Sequence, residues 1–434
     1  MSFYSNTRAL LIMTTAPTGL GHLRVMDGLE DGMPYKSNWI ELGLTNYRAN
    51  KIHALGSRIP LLTKITEFYQ TNQLAEKILS FVYITYLRHK TSQVKQKFKS
   101  IKKTHPYKNR YVVVCTHFSL AHSIASCKTW LEKNLDVKLF LFVIVTDDSP
   151  QRVWAVNGAD LIFVPSPKTK KGLLKLVQDK QILRVIPFPI SPRLSMYTRR
   201  QDFLKLKKQL RPESIIPLII QIPISGAAVQ LPFIKSFVQS FPKEQLMFNI
   251  ISQKTTYTKD FIEQIHTQPN VKIDWDSSAR KTVKIYESVF YSSRKASLEV
   301  TKPSEQVFKA LLTPKQRGGV VMLLTQPVGR QERDNIKYLR RYRLMPSRVD
   351  QTRLEYFALK KIIPLSELSS FRKKATGWRA IMLPTDPKKA VRFVQNLKES
   401  GILIAMLNYK KQTRKFIKSD GVKQFWEEVD KYLQ

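Results

Sequence analysis

Thr18-Gly-Leu-Gly-His22 separates two patterned stretches. Before it, Leu10 to Thr15 reads as a strand; after it, LRVMDGLED reads as a helix. Gly19 and Gly21 let the backbone come close to a ligand, and amides at a helix start meet negative charge. His22, at the exit of that turn, is placed to move a proton or to hold a phosphate or hydroxyl. The third glycine of a dinucleotide fingerprint is missing, and no Gly-Lys-Ser/Thr follows as in a phosphate-binding P-loop. A simple turn with a surface histidine fits the same residues.

Three further segments carry candidate chemistry. In TDDSPQRVW, Asp147 and Asp148 directly follow the most apolar run of the chain, VKLFLFVIV, which places them at a strand end. One of the two is positioned to orient a hydroxyl or act as general base, while Asp, Ser and Pro are equally at home capping a helix. In TKPSEQVFKALL, Thr301, Lys302 and Ser304 precede an apolar segment that reads as a helix. Its first amides, with the lysine and serine, suit a diphosphate, and Glu305 suits sugar hydroxyls or the helix dipole. In PVGRQERDN, Gln331, Glu332 and Asn335 can bond a sugar or an acceptor, or form an ordinary capped helix with surface pairs.

Charge narrows the partners. The 434 residues include 73 Lys and Arg against 33 Asp and Glu, a formal charge of +40. Such a surface repels itself and suits an anionic partner: nucleic acid, an acidic membrane face or phosphorylated molecules. The run RHKTSQVKQKFKSIKKTHPYKNR, Arg88 to Arg110, holds many cations and no Asp or Glu. Val94, Phe98 and Ile101 fall at helical spacing within it, the pattern of a helix lying on an anionic bilayer. The upstream segment ending SFVYITYL is apolar and aromatic enough to extend that face. The sequence carries no zinc-finger spacing, GXXG clamp or RNA-recognition signature, so no specific nucleic-acid partner is expected.

Cys115 and Cys127 match no zinc pattern and no disulfide scaffold, and His117 and His122 lack partners of recognised metal-ligand spacing, so no metal site is expected. The amino terminus does not read as a signal peptide, and LFLFVIV is too short to span a bilayer. These features predict a cytoplasmic protein, peripheral on the inner membrane face.

Positioning such residues takes strands covered on both faces. RALLIMTT, YVVVCT, VKLFLFVIV, ADLIFVPS and ILRVIPFP are short continuous apolar runs, the mark of a parallel sheet with crossover helices such as SLAHSIASCKTWLEKNL. Ile190 to Ser214 reads as a linker with a helix. A second alternation follows in IIPLIIQIPIS, MFNIISQ, NVKIDW and GGVVMLLTQP, although Pro217 and Pro223 sit awkwardly in a central strand. The fold class is therefore α/β: domains over residues 1–200 and 201–385 facing a cleft, with C-terminal helices over 386–434 packing back across them. Ligands in this architecture bind beyond the carboxyl ends of the strands.

Taken together, these segments resemble a glycosyltransferase family. It contains the plant monogalactosyldiacylglycerol synthases, the bacterial processive diacylglycerol glucosyltransferases and, more distantly, the peptidoglycan N-acetylglucosaminyltransferase (family 28-like). TGLGH with LRVMDGL resembles the family's glycine–histidine loop and helix. VIVTDDSPQRVW, NGADLIFVPS and RVIPFPISPRL resemble its central stretch. TKPS and GRQERDN resemble its donor-site turn and its Gly-Gln-Glu-x-x-Asn segment. The likeness covers roughly residues 8–30, 110–195 and 215–345, in the same order.

The resemblance implies two Rossmann-like domains in the GT-B arrangement, with no permanently bound cofactor or catalytic metal. It implies an inverting transfer of a hexose from a UDP-sugar to a membrane lipid such as diacylglycerol. His22 and Asp147 would serve the reacting groups. Gly19, Gly21, Gly226, Thr301, Lys302, Ser304 and Glu305 would approach the donor, and Gln331, Glu332 and Asn335 the sugar and nearby acceptor groups. The basic run would meet anionic membrane lipid. The sequence departs from the family in four places: Gly226 stands alone where the family has several glycines, Ser304, Glu305 and Gln306 follow the proline where its donor-site turn has glycines, Ala310 replaces a glutamate, and no histidine follows the TD pair. The alternatives are a descendant of this fold that has lost transfer and binds anionic lipid or a protein, a basic nucleic-acid-binding protein, or hydrolysis or epimerisation of a nucleotide sugar.

Overall fold

The computed structural model describes residues 8–15, 20–34, 39–43, 72–226, 228, 230–242, 244, 246–290, 295–316, 319–325, 329–360, 363–409 and 417–434. Gly19 and the start of the TGLGH turn lie outside them. The chain divides into two compact units: Met1–Pro192 with Gly329–Gln331 and Lys418–Gln434, and Arg193–Val328 with Glu332–Ile417.

The first unit runs β1 (Ala9–Thr15), α1 (Leu20–Asp31), β2 (Trp39–Gly43), α2 (Gln73–His89), α3 (Ser92–Thr104), β3 (Arg110–Cys115), α4 (Phe118–Leu135), β4 (Lys138–Ile144), β5 (Leu161–Val164), α5 (Pro167–Leu173) and β6 (Leu183–Val185). Its six strands are parallel in the order β2-β1-β3-β4-β5-β6. Tyr111 to Cys115 of β3 are all buried, because helices cover both faces of a parallel sheet and leave no position for alternating polar residues. Leu10, Ile12, Val113, Val143 and Ile162 anchor one core, and Ile124 and Leu131 of α4 pack into it.

After the short helix α6 (Pro192–Ser195), the second unit runs α7 (Arg200–Gln209), β7 (Leu218–Pro223), α8 (Leu231–Gln239), β8 (Leu246–Gln253), α9 (Lys259–His266), β9 (Val271–Asp276), α10 (Ala279–Val289) and β10 (Leu298–Thr301). It continues with β11 (Val320–Leu323), α11 (Arg330–Arg341), α12 (Arg348–Lys360), α13 (Leu365–Ala375), β12 (Ala380–Met382), α14 (Pro387–Glu399) and α15 (Ile402–Leu407). Its sheet is also parallel, in the order β12-β11-β10-β7-β8-β9. β7 is central despite its two prolines. Pro217 precedes the strand, and Pro223 is its last residue, where the missing N–H costs least.

The C-terminal helices divide between the units. α14 and α15 pack in the second core through Val391, Phe393, Leu397, Leu403 and Met406. The last helix, α16 (Gly421–Leu433), belongs to the first. Gly421 allows that return, since a Cβ there would run into the carbonyls of Pro187 and Phe188. The Trp426 indole then donates to the Leu29 carbonyl at 3.0 Å.

Two local expectations change. The stripe Val94, Phe98 and Ile101 of the basic helix α3 is buried in the first core, so it faces protein rather than a bilayer. This is the ordinary amphipathic pattern of a surface helix. The segment after TKPS is a 3₁₀ helix (Glu305–Leu311) rather than an α-helix with a cradle of free amides. Gln306 to Leu311 are all buried, which leaves no solvent face for a longer amphipathic turn.

Candidate functional site

Each sheet reverses its strand order once. In an open α/β sheet, ligands bind in the crevice outside the carboxyl ends of the two strands at that reversal. In the first unit the reversal lies between β1 and β3; in the second it lies between β7 and β10. The sequence candidates collect at these two places.

In the first unit, α1 starts at Leu20, so Gly21 and His22 sit in its first turn rather than in the loop before it. The Nδ1 of His22 lies 2.7 Å from the Thr116 carbonyl oxygen, at the end of β3. A carbonyl only accepts, so in the neutral imidazole Nδ1 carries the proton and the lone pair resides on Nε2. The Thr146 hydroxyl, just after β4, lies 3.3 Å from the same nitrogen. The loop that holds Asp147 thus reaches His22 through Thr146. Asp147 itself is half-buried at the strand end.

Its neighbour Asp148 is fully buried and accepts from the hydroxyls of Ser166 and Thr169, the latter at 2.6 Å. Ser166 in turn caps α5. Asp148 therefore buttresses the Ser166 cap, and Asp147 stands at the strand end.

Aromatic rings surround His22. His117 packs edge-to-face against it at 4.6 Å, Phe118 stacks on His117 at 4.3 Å, and Trp154 lies 6.4 Å from His22 and 5.3 Å from Phe118. Tyr83 of α2 meets Phe118 at 6.1 Å. That contact joins the crevice to a second feature. Leu74, Ile78, Leu79, Phe81, Val82, Tyr83 and Tyr86 of α2 are all exposed large apolar or aromatic side chains. α2 is held in place from beneath. Ser123 donates to the Leu87 carbonyl at 2.8 Å, and Glu76 accepts from the Arg152 amide and pairs with its guanidinium, both at 3.3 Å.

In the second unit, Thr301 ends β10 and is buried. Lys302 pairs with Glu332 of α11 at 2.7 Å; the lysine side chain is 12% exposed and the glutamate 3%. The Asn335 side-chain amide donates to the Pro303 carbonyl at 3.3 Å, pinning the Thr-Lys-Pro-Ser turn to α11. Ser304 and Glu305 are half-buried at the start of the 3₁₀ helix, and Gln331 is half-buried in the first turn of α11.

Beneath the turn, Lys309 pairs with Glu299 of β10, and both contact the Tyr286 hydroxyl; all three are buried. Gly226, beyond β7, is held by the Tyr257 hydroxyl, which donates to its carbonyl at 2.9 Å. The structure thus joins Lys302, Glu332 and Asn335 around one turn, with Gly226 on the other side of the same reversal.

The sequence reading missed His117 as a partner of His22, and missed Thr116 and Thr146. The available signal was position: Thr116 and His117 end an apolar strand just as Asp147 does. His122 and the cysteines play other parts. His122 is buried on α4 with Nε2–H donating to the Val153 carbonyl at 2.9 Å, and burial pushes its pKa down to about 4. Burial pushes the thiols of Cys115 and Cys127 up to about 12 and about 11, which leaves both unreactive near neutrality. Among the described residues, no group of three or more His, Cys, Asp or Glu stands together as a metal site. No described helix is long and apolar enough to cross a membrane.

No protein-family profile matches the sequence, and no curated protein matches it. Solved structures align over nearly the whole chain. One is S. aureus MnaA with UDP, at 10% identity over 98% of this chain and 96% of that one, TM-score 0.47. Another is Anabaena Alr3699/HepE with UDP and glucose, at 11% identity over 97% and 99%, TM-score 0.49. A third is Acinetobacter baumannii MurG, at 10% identity over 98% and 99%, TM-score 0.42. These likenesses are too distant to bear on what the chain does.

Proposed function

We propose that the protein is an inverting glycosyltransferase that moves a hexose from a UDP-sugar to the hydroxyl of a membrane lipid such as diacylglycerol. It works at the cytoplasmic face of an anionic membrane without crossing it. The observation that carries this reading is the continuity of the first crevice with α2. An imidazole whose lone pair is directed to Nε2 by a backbone carbonyl stands next to an aromatic path, Trp154–Phe118–Tyr83, that opens onto an exposed apolar helix. Contiguous exposed apolar surface on a soluble domain marks an interaction site. Lys97, Lys99 and Lys103 of α3 are exposed nearby in sequence, and each cation near an anionic surface contributes about 1 kcal/mol.

In this reading His22 Nε2 takes the proton of the acceptor hydroxyl as its oxygen bonds to the anomeric carbon. The bond from that carbon to the diphosphate oxygen breaks, and the diphosphate leaves with the electron pair. Displacement from the opposite face inverts the centre. Asp147 orients the acceptor. Lys302, Thr301, Ser304 and the Gly226 loop hold the diphosphate, and the lysine stabilises the departing charge. Gln331 serves the sugar, with Glu305 on its hydroxyls; Glu332 and Asn335, expected from the sequence to contact the sugar, are buried and instead hold Lys302 and its turn in place.

The test is transfer from UDP-glucose, UDP-galactose or UDP-N-acetylglucosamine into diacylglycerol-containing anionic liposomes. The expected result is a lipid-linked sugar formed with one UDP released per sugar. No product and no UDP binding with any of the three donors overturns the reading.

One observation favours a second reading. Lys302 is already paired with a buried carboxylate, so a phosphate must share it. A descendant that has lost transfer and keeps only lipid binding shows liposome association with no affinity for UDP.

A further inference from the structure

His117 is 4% exposed and occupies a junction. It is the N-cap of α4: its Nδ1 accepts from the Ser119 amide at 3.2 Å and lies 2.7 Å from the Ser119 hydroxyl. A backbone N–H only donates, so the lone pair is on Nδ1 and the neutral ring carries its proton on Nε2. This is the opposite tautomer from His22, whose Nδ1 faces a carbonyl. The capping hydrogen bond thus engages the Nδ1 lone pair and leaves the Nε2 side of the ring turned away from the cap. The ring is clamped between Phe118, stacked at 4.3 Å, and His22, edge-to-face at 4.6 Å with an interplanar angle of 82°.

We infer that His117 is a positioning residue for His22: a cap-locked ring that holds the His22 imidazole in register with the Thr116 carbonyl and so keeps its lone pair on Nε2. The inference deepens the base role proposed for His22 and rests on it. The physical logic is one of alternatives. A half-turn of the His22 ring about its last torsion swaps Nδ1 with Cδ2 and Nε2 with Cε1, which takes the donor away from the Thr116 carbonyl. The carbonyl bond favours one orientation, and a ring packed in the adjacent space hinders rotation out of it. Misplacing a catalytic group by about 1 Å can cost about a hundredfold in rate.

Capping and positioning are separable by substitution. His117→Asn keeps a short capping acceptor for the Ser119 amide and loses the ring. His117→Phe keeps the ring and loses the cap. Two readouts are taken on the full chain: the ¹⁵N chemical shifts of the His22 imidazole, which report its tautomer without any substrate, and steady-state transfer. The inference expects His117→Phe to retain the single Nδ1–H tautomer of His22 and a turnover within about threefold of wild type. It expects His117→Asn to show mixed tautomers, with kcat down about tenfold to a hundredfold and the donor KM little changed.

The reverse ranking, Asn like wild type and Phe impaired, overturns it and leaves His117 a helix cap. So does an unchanged His22 tautomer in both variants. If wild-type protein transfers no sugar, the proposed function fails, and the ¹⁵N pattern still decides whether His117 sets the His22 ring. Thermal unfolding of both variants checks the cap: the midpoint is expected to fall in His117→Phe, which loses it, and to hold in His117→Asn, which keeps it.

Discussion

The two strand-order reversals hold their polar groups in different ways. At β1/β3 the key side chain, His22, is tied by a backbone carbonyl and walled by rings. At β7/β10 the key side chain is charged: Lys302 is tied to a nearly buried carboxylate, and the turn that carries it is pinned by Asn335. A carbonyl tether directs a lone pair without adding charge, which suits proton transfer. A carboxylate tether fixes a cation at low exposure, which suits a phosphate that arrives with its own charge. The difference predicts that damage to the first site appears in turnover and damage to the second in binding and stability.

The largest expected effect is at the first reversal. His22→Gln should lower transfer by about a thousandfold, within the range general bases contribute, and leave the thermal midpoint within a few degrees. Equal loss in donor affinity would erase the contrast.

At the second reversal, Lys302→Met should weaken UDP binding measurably. It should also destabilise the fold by about 3 kcal/mol, because Glu332 is left buried without its partner. Lys302→Met with Glu332→Gln should recover most of that stability in denaturant titration and none of the UDP affinity. Full recovery of both would show that the pair is structural alone.

A comparable effect comes from His122, which shares its helix with the His117 cap but is tied for structure. Its folded pKa of about 4 lies below the ordinary value of 6.5. Between these values the unfolded chain binds a proton that the folded chain does not. Stability should therefore fall as the pH drops through that window, by about 3 kcal/mol in all. His122→Gln should flatten this part of the stability–pH curve, and an unchanged curve would assign the loss to other groups.

The smallest effect on the fold belongs to α2. Ile78→Ser with Phe81→Ser should change stability by less than about 1 kcal/mol, since both are exposed, and should reduce sedimentation with anionic vesicles at least severalfold. Vesicle binding that survives this change but is lost when Lys97, Lys99 and Lys103 are neutralised would move the membrane contact from α2 to α3.

Much of the architecture was legible because it rests on local pattern. Continuous apolar runs such as Tyr111–Thr116 can be buried only between two helical layers, and they announce a parallel sheet. Strands β2, β10 and β12 were not legible. They are short, and Leu298–Thr301 holds Glu299, whose burial makes sense only with Lys309 and Tyr286 in place. The basic helix α3 was misread for a related reason. Its stripe has the same period whether it faces a core or a bilayer, and only the sheet above it decides.

At the candidate sites, the Gly-His turn pointed to His22, and the TKPS segment, not the lysine alone, pointed to Lys302. The atoms that tune them, the Thr116 carbonyl, the His117 ring and the Glu332 carboxylate, come from distant segments and carry no sequence signature of that role.

The division of labour between the two reversals is tested most directly by single-turnover transfer in His22→Gln protein preloaded with a UDP-hexose. The account predicts donor affinity close to wild type and transfer to diacylglycerol vesicles slowed by about a thousandfold. Transfer at the wild-type rate, or a variant that no longer binds the donor at all, contradicts it.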